Sequence, residues 1–310
     1  MNLSLVIAIL AAAISTGTPI LFVALGEIIA EKSGVQNLGL EGMMLVGAVT
    51  GFIVAFTTLN LFAAVIAAAV GGGLLALLHS FITINLKANQ VVSGLALTIF
   101  GTGLSGYLGK PYVGMPAPVT FVKIPIPLLS KIPIIGTIFF DHNILVYFSY
   151  LLVFLLWFFV YRTNFGLNLR ATGENPGAAD SLGVNVFRLR YAYTIFGGML
   201  AGLGGAYLSL ASAPSWVENM SGGRGWIAIA LVIFAVWNPS RAILGAYLFG
   251  GVEALGYRLQ AVGVTISPFF LNAMPYLLTI AVLIIVTISS GKNSEGEPES
   301  LGKPYDREER

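Results

Sequence analysis

Few side chains in this sequence can do chemistry from within an apolar run, and those that can are carboxylates and carboxamides. Gln36, Asn37 and Glu41 fall in GVQNLGLEG at 34–42, at the start of an apolar run, and Glu253 falls in GGVEALGYRLQ. Gly34, Gly39 and Gly42 permit non-helical backbone or close packing there. Non-helical backbone at membrane depth is tolerated only where protein or water satisfies its polar groups. The segment therefore reads as a wall of a polar pathway, with Asn37 and Glu41 placed to hydrogen-bond a passing solute. The competing reading is that Asn37 caps a helix whose first turn accommodates Glu41. Glu253 is costly inside a membrane unless partnered, so it is either functional or a hydrogen bond that locks helix packing.

Catalytic constellations are missing. His79 and His142 lie far apart without metal-ligand spacing. The nearest approach to a phosphate loop is GTGLSGYLGKP at 101–111, where Leu104 replaces the first required glycine and Pro111 replaces the residue that would hold magnesium. The chain is thus expected to bind no ATP and no metal of its own. Ser93 and Ser209 have no recognisable base in sequence, and the absence of Cys excludes disulfides and thiolate chemistry.

These residues sit in 310 positions of which 56% are hydrophobic and 10% charged, with a mean hydropathy of +0.86, whereas soluble domains carry roughly 25% charged residues. The composition is that of an integral membrane protein. A net charge of +2 without a basic cluster gives no reason to expect nucleic acid. The N-terminal run lacks a basic flank, the first positive residue being Lys32, and reads as a retained span. About 20 apolar residues cross a bilayer as a helix. By that rule the chain is an all-α polytopic bundle of about nine spans (8–10), near 3–24, 42–58, 61–82, 91–109, 143–161, 191–213, 224–238, 242–260 and 268–289. Residues 26–41 are a candidate broken segment, and 224–238 is short.

Placing residues 162–190 in the cytoplasm puts Lys32, Lys87, Arg162, Arg170, Arg188, Arg190, Arg241, Lys292, Lys303, Arg307 and Arg310 inside, and only Lys110, Lys123, Lys131, Arg224 and Arg258 outside. The N-terminus is then external and the C-terminus cytoplasmic. Small-residue pairs such as Gly47/Gly51 and Gly198/Gly202 read as close helix packing. The membrane domain covers 1–290. Within it, 110–142 holds six of the 14 prolines and reads as an ordered external loop, too interrupted for a helix. Residues 291–310 form a polar tail expected to be disordered.

The remaining polar segment, ATGENPGAADSLGVNVFRLR at 171–190, has the marks of a short folded element. Asn175 suits an N-cap, Pro176 the first helical position, Ala178 and Ala179 propagate, and Gly183 provides a left-handed stop, giving a helix over 176–182. Glu174 near its start favours the dipole, and Arg170, Arg188 and Arg190 flank it. So short a helix is marginal alone and needs a surface to lie against.

Residues 171–210 resemble the coupling region of permease subunits of ABC importers in the branched-chain amino acid, ribose and simple-sugar group. EKSGVQNLGLEGMMLVGA at 31–48 and SGGRGWIAIALVIFAVWNPSRAILGAYLFG at 221–250 resemble more narrowly the branch associated with nucleoside uptake. Trp226 stands where phenylalanine is expected and Lys32 where arginine is usual. The resemblance implies a lipid-anchored external binding protein, a second and usually different permease subunit, and a cytoplasmic ATPase that carries ATP and magnesium. It implies that Gly173, Glu174, Asn175, Pro176, Ala178, Ala179 and Gly183 couple to that ATPase. It also implies that Asn37, Glu41, Trp226 and Glu253 are candidates for the nucleoside pathway, Trp226 by stacking on a base. The alternatives are a permease for a simple sugar, an ion-coupled secondary transporter and, least favoured, an intramembrane enzyme.

Overall fold

A computed structural model describes residues 3–261, 267–290 and 296–307. The described residues form twelve α-helices and no strand, only isolated bridges such as Val113 to Trp216 and Lys123 to Asn143. In chain order they are α1 (Leu3–Glu31), α2 (Leu40–Thr58), α3 (Leu61–Ser80), α4 (Gln90–Gly109), α5 (Ile135–Phe139), α6 (Ile144–Arg162), α7 (Asn164–Glu174), α8 (Pro176–Ser181), α9 (Val186–Tyr207), α10 (Arg224–Phe234), α11 (Pro239–Ala261) and α12 (Pro268–Ser290). Six helical segments, built on α1, α2, α3, α4, α6 and α9, are long and apolar enough to cross a membrane. Large apolar side chains face outward on them, Phe62, Ile99 and Phe154 among them, as a lipid-facing surface requires.

Local sequence explains where most helices begin. Asn60, Asn89, Asn143, Thr163, Asn175 and Asn185 each accept a backbone N–H in the first turn of α3, α4, α6, α7, α8 and α9. α2, α5 and α10 begin without such a cap; at α10 the N-cap Gly223 has φ +84° and no side chain to offer.

The core is built on α9, which lies against α1, α2 and α3. Gly47 on α2 and Gly202 on α9 meet so closely that a Cβ on Gly47 would stand 2.3 Å from Gly202 Cα, and one on Gly202 would stand 2.1 Å from the Ala68 carbonyl oxygen of α3. Without water between helices, packing of this closeness is what holds a membrane bundle together.

Several boundaries differ from those expected. α1 runs to Glu31 and α9 starts at Val186, so both extend beyond the apolar stretch. The break expected within 26–41 is confined to 32–39, and the segment expected at 224–238 is an 11-residue helix. The 110–142 loop is not wholly non-helical, since it contains α5. The tail is docked and not free over 296–307, where Pro298 and Ser300 are buried. Composition suggested disorder because the tail is polar, but polar bonds to buried groups hold it. Lys292 and Arg310 lie outside the described residues.

Candidate functional site

The non-helical turn 32–39 lies inside the protein, and side chains from four helices, α1, α3, α4 and α9, satisfy its backbone. Asn37 N–H donates to Glu27 Oε1 of α1 at 2.8 Å, and Gln36 N–H donates to Gln90 Oε1 of α4 at 2.7 Å. His79 of α3 donates from Nε2 to the Gln36 carbonyl at 3.0 Å and accepts the Ser93 hydroxyl at Nδ1, also at 3.0 Å. Thr98 donates to the Leu38 carbonyl. Asn37 itself is fully buried, its Oδ1 accepting Gly39 N–H at 2.9 Å. Ser93 therefore does have a histidine beside it, contrary to the sequence reading. The pair is buried and occupied in holding backbone, not poised for nucleophilic attack.

Glu41, at the start of α2, supplies the cap that α10 lacks. Its Oε1 accepts the Ser221 hydroxyl at 2.5 Å and Gly223 N–H at 2.8 Å, while Oε2 accepts Gly225 N–H at 2.6 Å. A carboxylate at a helix N-terminus receives orphan amides and the favourable end of the macrodipole together. α2 and α10 are thereby clasped at one point; α10 ends at Phe234, and in the turn just beyond it Trp237 Nε1 donates to Glu31 at the end of α1.

Arg224, the first residue of α10, was counted only as an external charge at the head of the segment expected over 224–238. It is instead ion-paired with Glu253 of α11, the two side chains only 13% and 16% exposed. Tyr257 donates to the same Glu253 oxygen at 2.8 Å. Arg224 Nη1 donates to the Ser221 carbonyl at 3.0 Å, and its Nε is buried without a protein partner. These residues line a cavity of about 330 Å³, together with Gln260, Leu271 and Tyr276. The Tyr276 hydroxyl stands where a Cβ on Gly223 would fall, so the cavity abuts the Glu41 clasp.

A second cavity of about 370 Å³ shares Arg224, Met220 and Tyr257 with the first. A third, of about 600 Å³, shares Thr16, Ser212 and Tyr257 with the second and reaches Lys123, His142 and Arg258. His142 is buried at this end, and burial followed by the Lys123 charge pushes its imidazole below the ordinary value. The neutral ring fits its bonds, donating to the Ile138 carbonyl at 2.7 Å and accepting from Ser15 at 3.2 Å. The three cavities adjoin in a series that passes from the Lys123 end to the charged pair.

Of the four pathway candidates, Glu253 lines this series, while Glu41 lines none of the three cavities and lies beside the first through its bond to Gly223. Asn37 belongs to the buried turn, and half-buried Trp226 does not line the described cavity. Arg224, Tyr257, Gln260 and Tyr276 were missed. Arg224 carried a signal, a lone basic residue at the head of an apolar helix, but its meaning depends on a partner 29 residues on.

The coupling candidates lie on α7 and α8. Asn175 Oδ1 accepts Ala178 N–H at 2.9 Å, Pro176 opens α8, and Gly183 closes it at φ +85°. Leu182 is 86% exposed at the tip. Gly173 is buried against the turn after α1, where a Cβ would stand 2.3 Å from the Lys32 carbonyl oxygen. Burial lowers the Lys32 ammonium from its ordinary value, and Glu174 opposes that shift. No group of metal-ligating residues is present among the described residues.

Comparison with known proteins places this architecture. Residues 9–287 match the family model described as branched-chain amino acid transport system, permease component. A putative glucose ABC transporter permease protein of Haloferax volcanii is 41% identical over 97% of this chain and 98% of its own length. The nucleoside ABC transporter permease protein NupC of Lactococcus lactis is 35% identical over 86% and 88%. The guanosine ABC transporter permease protein NupQ of Bacillus subtilis is 33% identical over 92% and 94%. No solved structure matches the chain. A helical bundle with several membrane-length spans and a family match over nearly its whole length leads to one conclusion: this chain belongs to the branched-chain amino acid transport system permease component family, as a non-catalytic, multi-pass permease subunit of an ABC transporter.

Proposed function

We propose that the chain is one of two permease subunits of an ABC importer for nucleosides, and that the cavity series ending at Arg224 and Glu253 is part of its translocation route. The observation that carries the reading is the Arg224–Glu253–Tyr257 group, charged and largely shielded yet facing a cavity. A carboxylate and a guanidinium suit ribose hydroxyls and base edges, and the phenol rings of Tyr257 and Tyr276 offer faces on which a planar base can stack. The relatives from Lactococcus and Bacillus, named for nucleoside and guanosine, support the same class.

In this reading α11 and α12 are spans, and α10 enters the membrane only partway, which gives nine membrane segments. The N-terminus is external. α7, α8 and the tail are cytoplasmic, where α8 docks on a separate ATPase that holds ATP and magnesium. A lipid-anchored binding protein delivers substrate, and a different permease subunit completes the pathway.

A hexose is the second reading, favoured by the Haloferax relative named for glucose. Competition decides between them. Uptake of labelled guanosine by cells carrying the transporter should be suppressed by unlabelled nucleosides and not by glucose. Uptake of labelled glucose with no uptake of labelled guanosine would move the substrate class to sugars.

A further inference from the structure

The tail 296–307 does more than end the chain. It crosses the face on which α7 and α8 lie, and its bonds are made with the elements that any coupling motion must move. Ser300 N–H donates to the Gly173 carbonyl at 2.9 Å and its hydroxyl to the same oxygen at 2.6 Å, fixing the tail to the end of α7. Pro298 also closes on Gly173, its Cβ 3.2 Å from where a Cβ on that glycine would stand. Arg307 reaches Asp180 of α8 with two bonds of 2.8 and 3.0 Å. Lys87, in the loop before α4, is ion-paired with Asp306.

At the centre is Arg190 of α9, only 2% exposed. Its Nε donates to the Ser33 carbonyl of the turn after α1, Nη2 to Ser300 Oγ and Nη1 to the Lys303 carbonyl, each at 3.1 Å. One guanidinium thus holds the bundle, the turn 32–39 and the tail together. A planar fork with several fixed donors suits that task, and a lysine ammonium does not. The Asp180–Arg307 pair is solvent-exposed on the arginine side and adds little by itself. The buried polar joints at Ser300 and Arg190 carry the attachment, because breaking them leaves desolvated donors unpaired.

We propose that residues 296–307 are a fixed strap of the coupling surface, with Arg190 as its positioning residue. The strap ties α7 and α8 to the turn 32–39, so that a push on α8 reaches that turn and the Glu41 clasp beyond it. This rests on the reading of α8 as the element that docks on the ATPase.

The test uses the assembled transporter with its ATPase, partner permease and binding protein, loaded with guanosine or glucose, whichever the unaltered complex imports. A chain ending at residue 295 should lower uptake per assembled complex about tenfold or more and bring stimulated ATP hydrolysis down toward the basal rate. The sequence contains no cysteine, so Asp180→Cys with Arg307→Cys can be joined specifically by a short bis-maleimide. The cross-linked full-length chain should keep uptake and stimulation, because the strap moves with α8. Normal coupling in the shortened chain would overturn the proposal. So would loss of transport on cross-linking, which would mean that the strap must release.

If the shortened chain fails to assemble, Arg190→Lys in the full chain decides. It should lower the ratio of stimulated to basal hydrolysis while leaving the half-saturating concentration of loaded binding protein unchanged, and an unaltered ratio would overturn the proposal. Ala179→Pro serves as the control. Should that variant couple normally, the reading of α8 fails, and it does so independently of the strap.

Discussion

Glu41 Oε2 accepts the amide of Gly225 at 2.6 Å, so a carboxylate at the start of α2 caps α10 through a residue 184 positions further along the chain. The other oxygen takes Ser221 and Gly223. Two helices that converge on one buried carboxylate cannot move apart without exposing its amide partners. The clasp therefore holds α2 to α10 where it adjoins the cavity of Arg224 and Glu253.

Glu41→Gln separates a structural joint from a pathway residue. An amide group in place of the carboxylate has one acceptor oxygen, so at least one of the α10 amides loses its partner, at a cost of about 1–3 kcal/mol. Thermal unfolding in detergent should shift downward. Uptake per folded complex should fall as well if Glu41 also meets substrate. Unchanged turnover with lowered stability would assign it to the joint alone.

The Arg224–Glu253 pair is tested by a double-mutant cycle. Arg224→Ala and Glu253→Gln should each reduce uptake about tenfold or more, since either leaves a buried charge unpaired and removes a group from the proposed route. If the pair serves only packing, the double variant should recover turnover because no unpaired charge remains. If the groups handle substrate, the double variant stays as poor as the singles. Uptake normalised to assembled complex reads the difference.

Gly202 tests the packing seam. Gly202→Leu places atoms where the Ala68 carbonyl already stands within 2.1 Å of a bare Cβ, so α9 must leave α3. Overpacking typically costs about 1–3 kcal/mol and occasionally more. The expected result is loss of assembled complex on size-exclusion chromatography, while Leu244→Ala, at a 71% exposed position, should assemble normally.

Elements whose cause is local could be read from sequence. The Asn175 cap, Pro176 and the Gly183 stop all act within one turn of α8, and the structure holds them where their side-chain chemistry places them. The membrane-length runs were legible for the same reason, because hydropathy sums over neighbours. α7 was not, since NFGLNLRATGE is too polar to register as a span, although Thr163 bonded to Gly166 N–H is an ordinary cap. Relationships that depend on distant partners were closed to sequence reading. Counting positive charges gave Arg224 only a side of the membrane, because the count ignores a carboxylate on another helix. A polar composition suggested a free tail because it could not register Arg190 waiting on α9. His79 offered the sequence reading only its lack of metal-ligand spacing, yet it is buried and holds the Gln36 carbonyl.

The central claim is that α8 transmits the ATPase cycle to this bundle, and ATP hydrolysis by the reconstituted complex tests it most directly. Ala179 is 2% exposed, and a proline there removes its N–H bond to the Asn175 carbonyl, at about 3 kcal/mol or more in a helix interior. In proteoliposomes, loaded binding protein should stimulate hydrolysis by the unaltered complex. The Ala179→Pro complex should assemble, hydrolyse ATP at the unstimulated rate and import nothing. Full stimulation and uptake in that variant, or uptake driven by a sodium or proton gradient without ATP, would contradict the account.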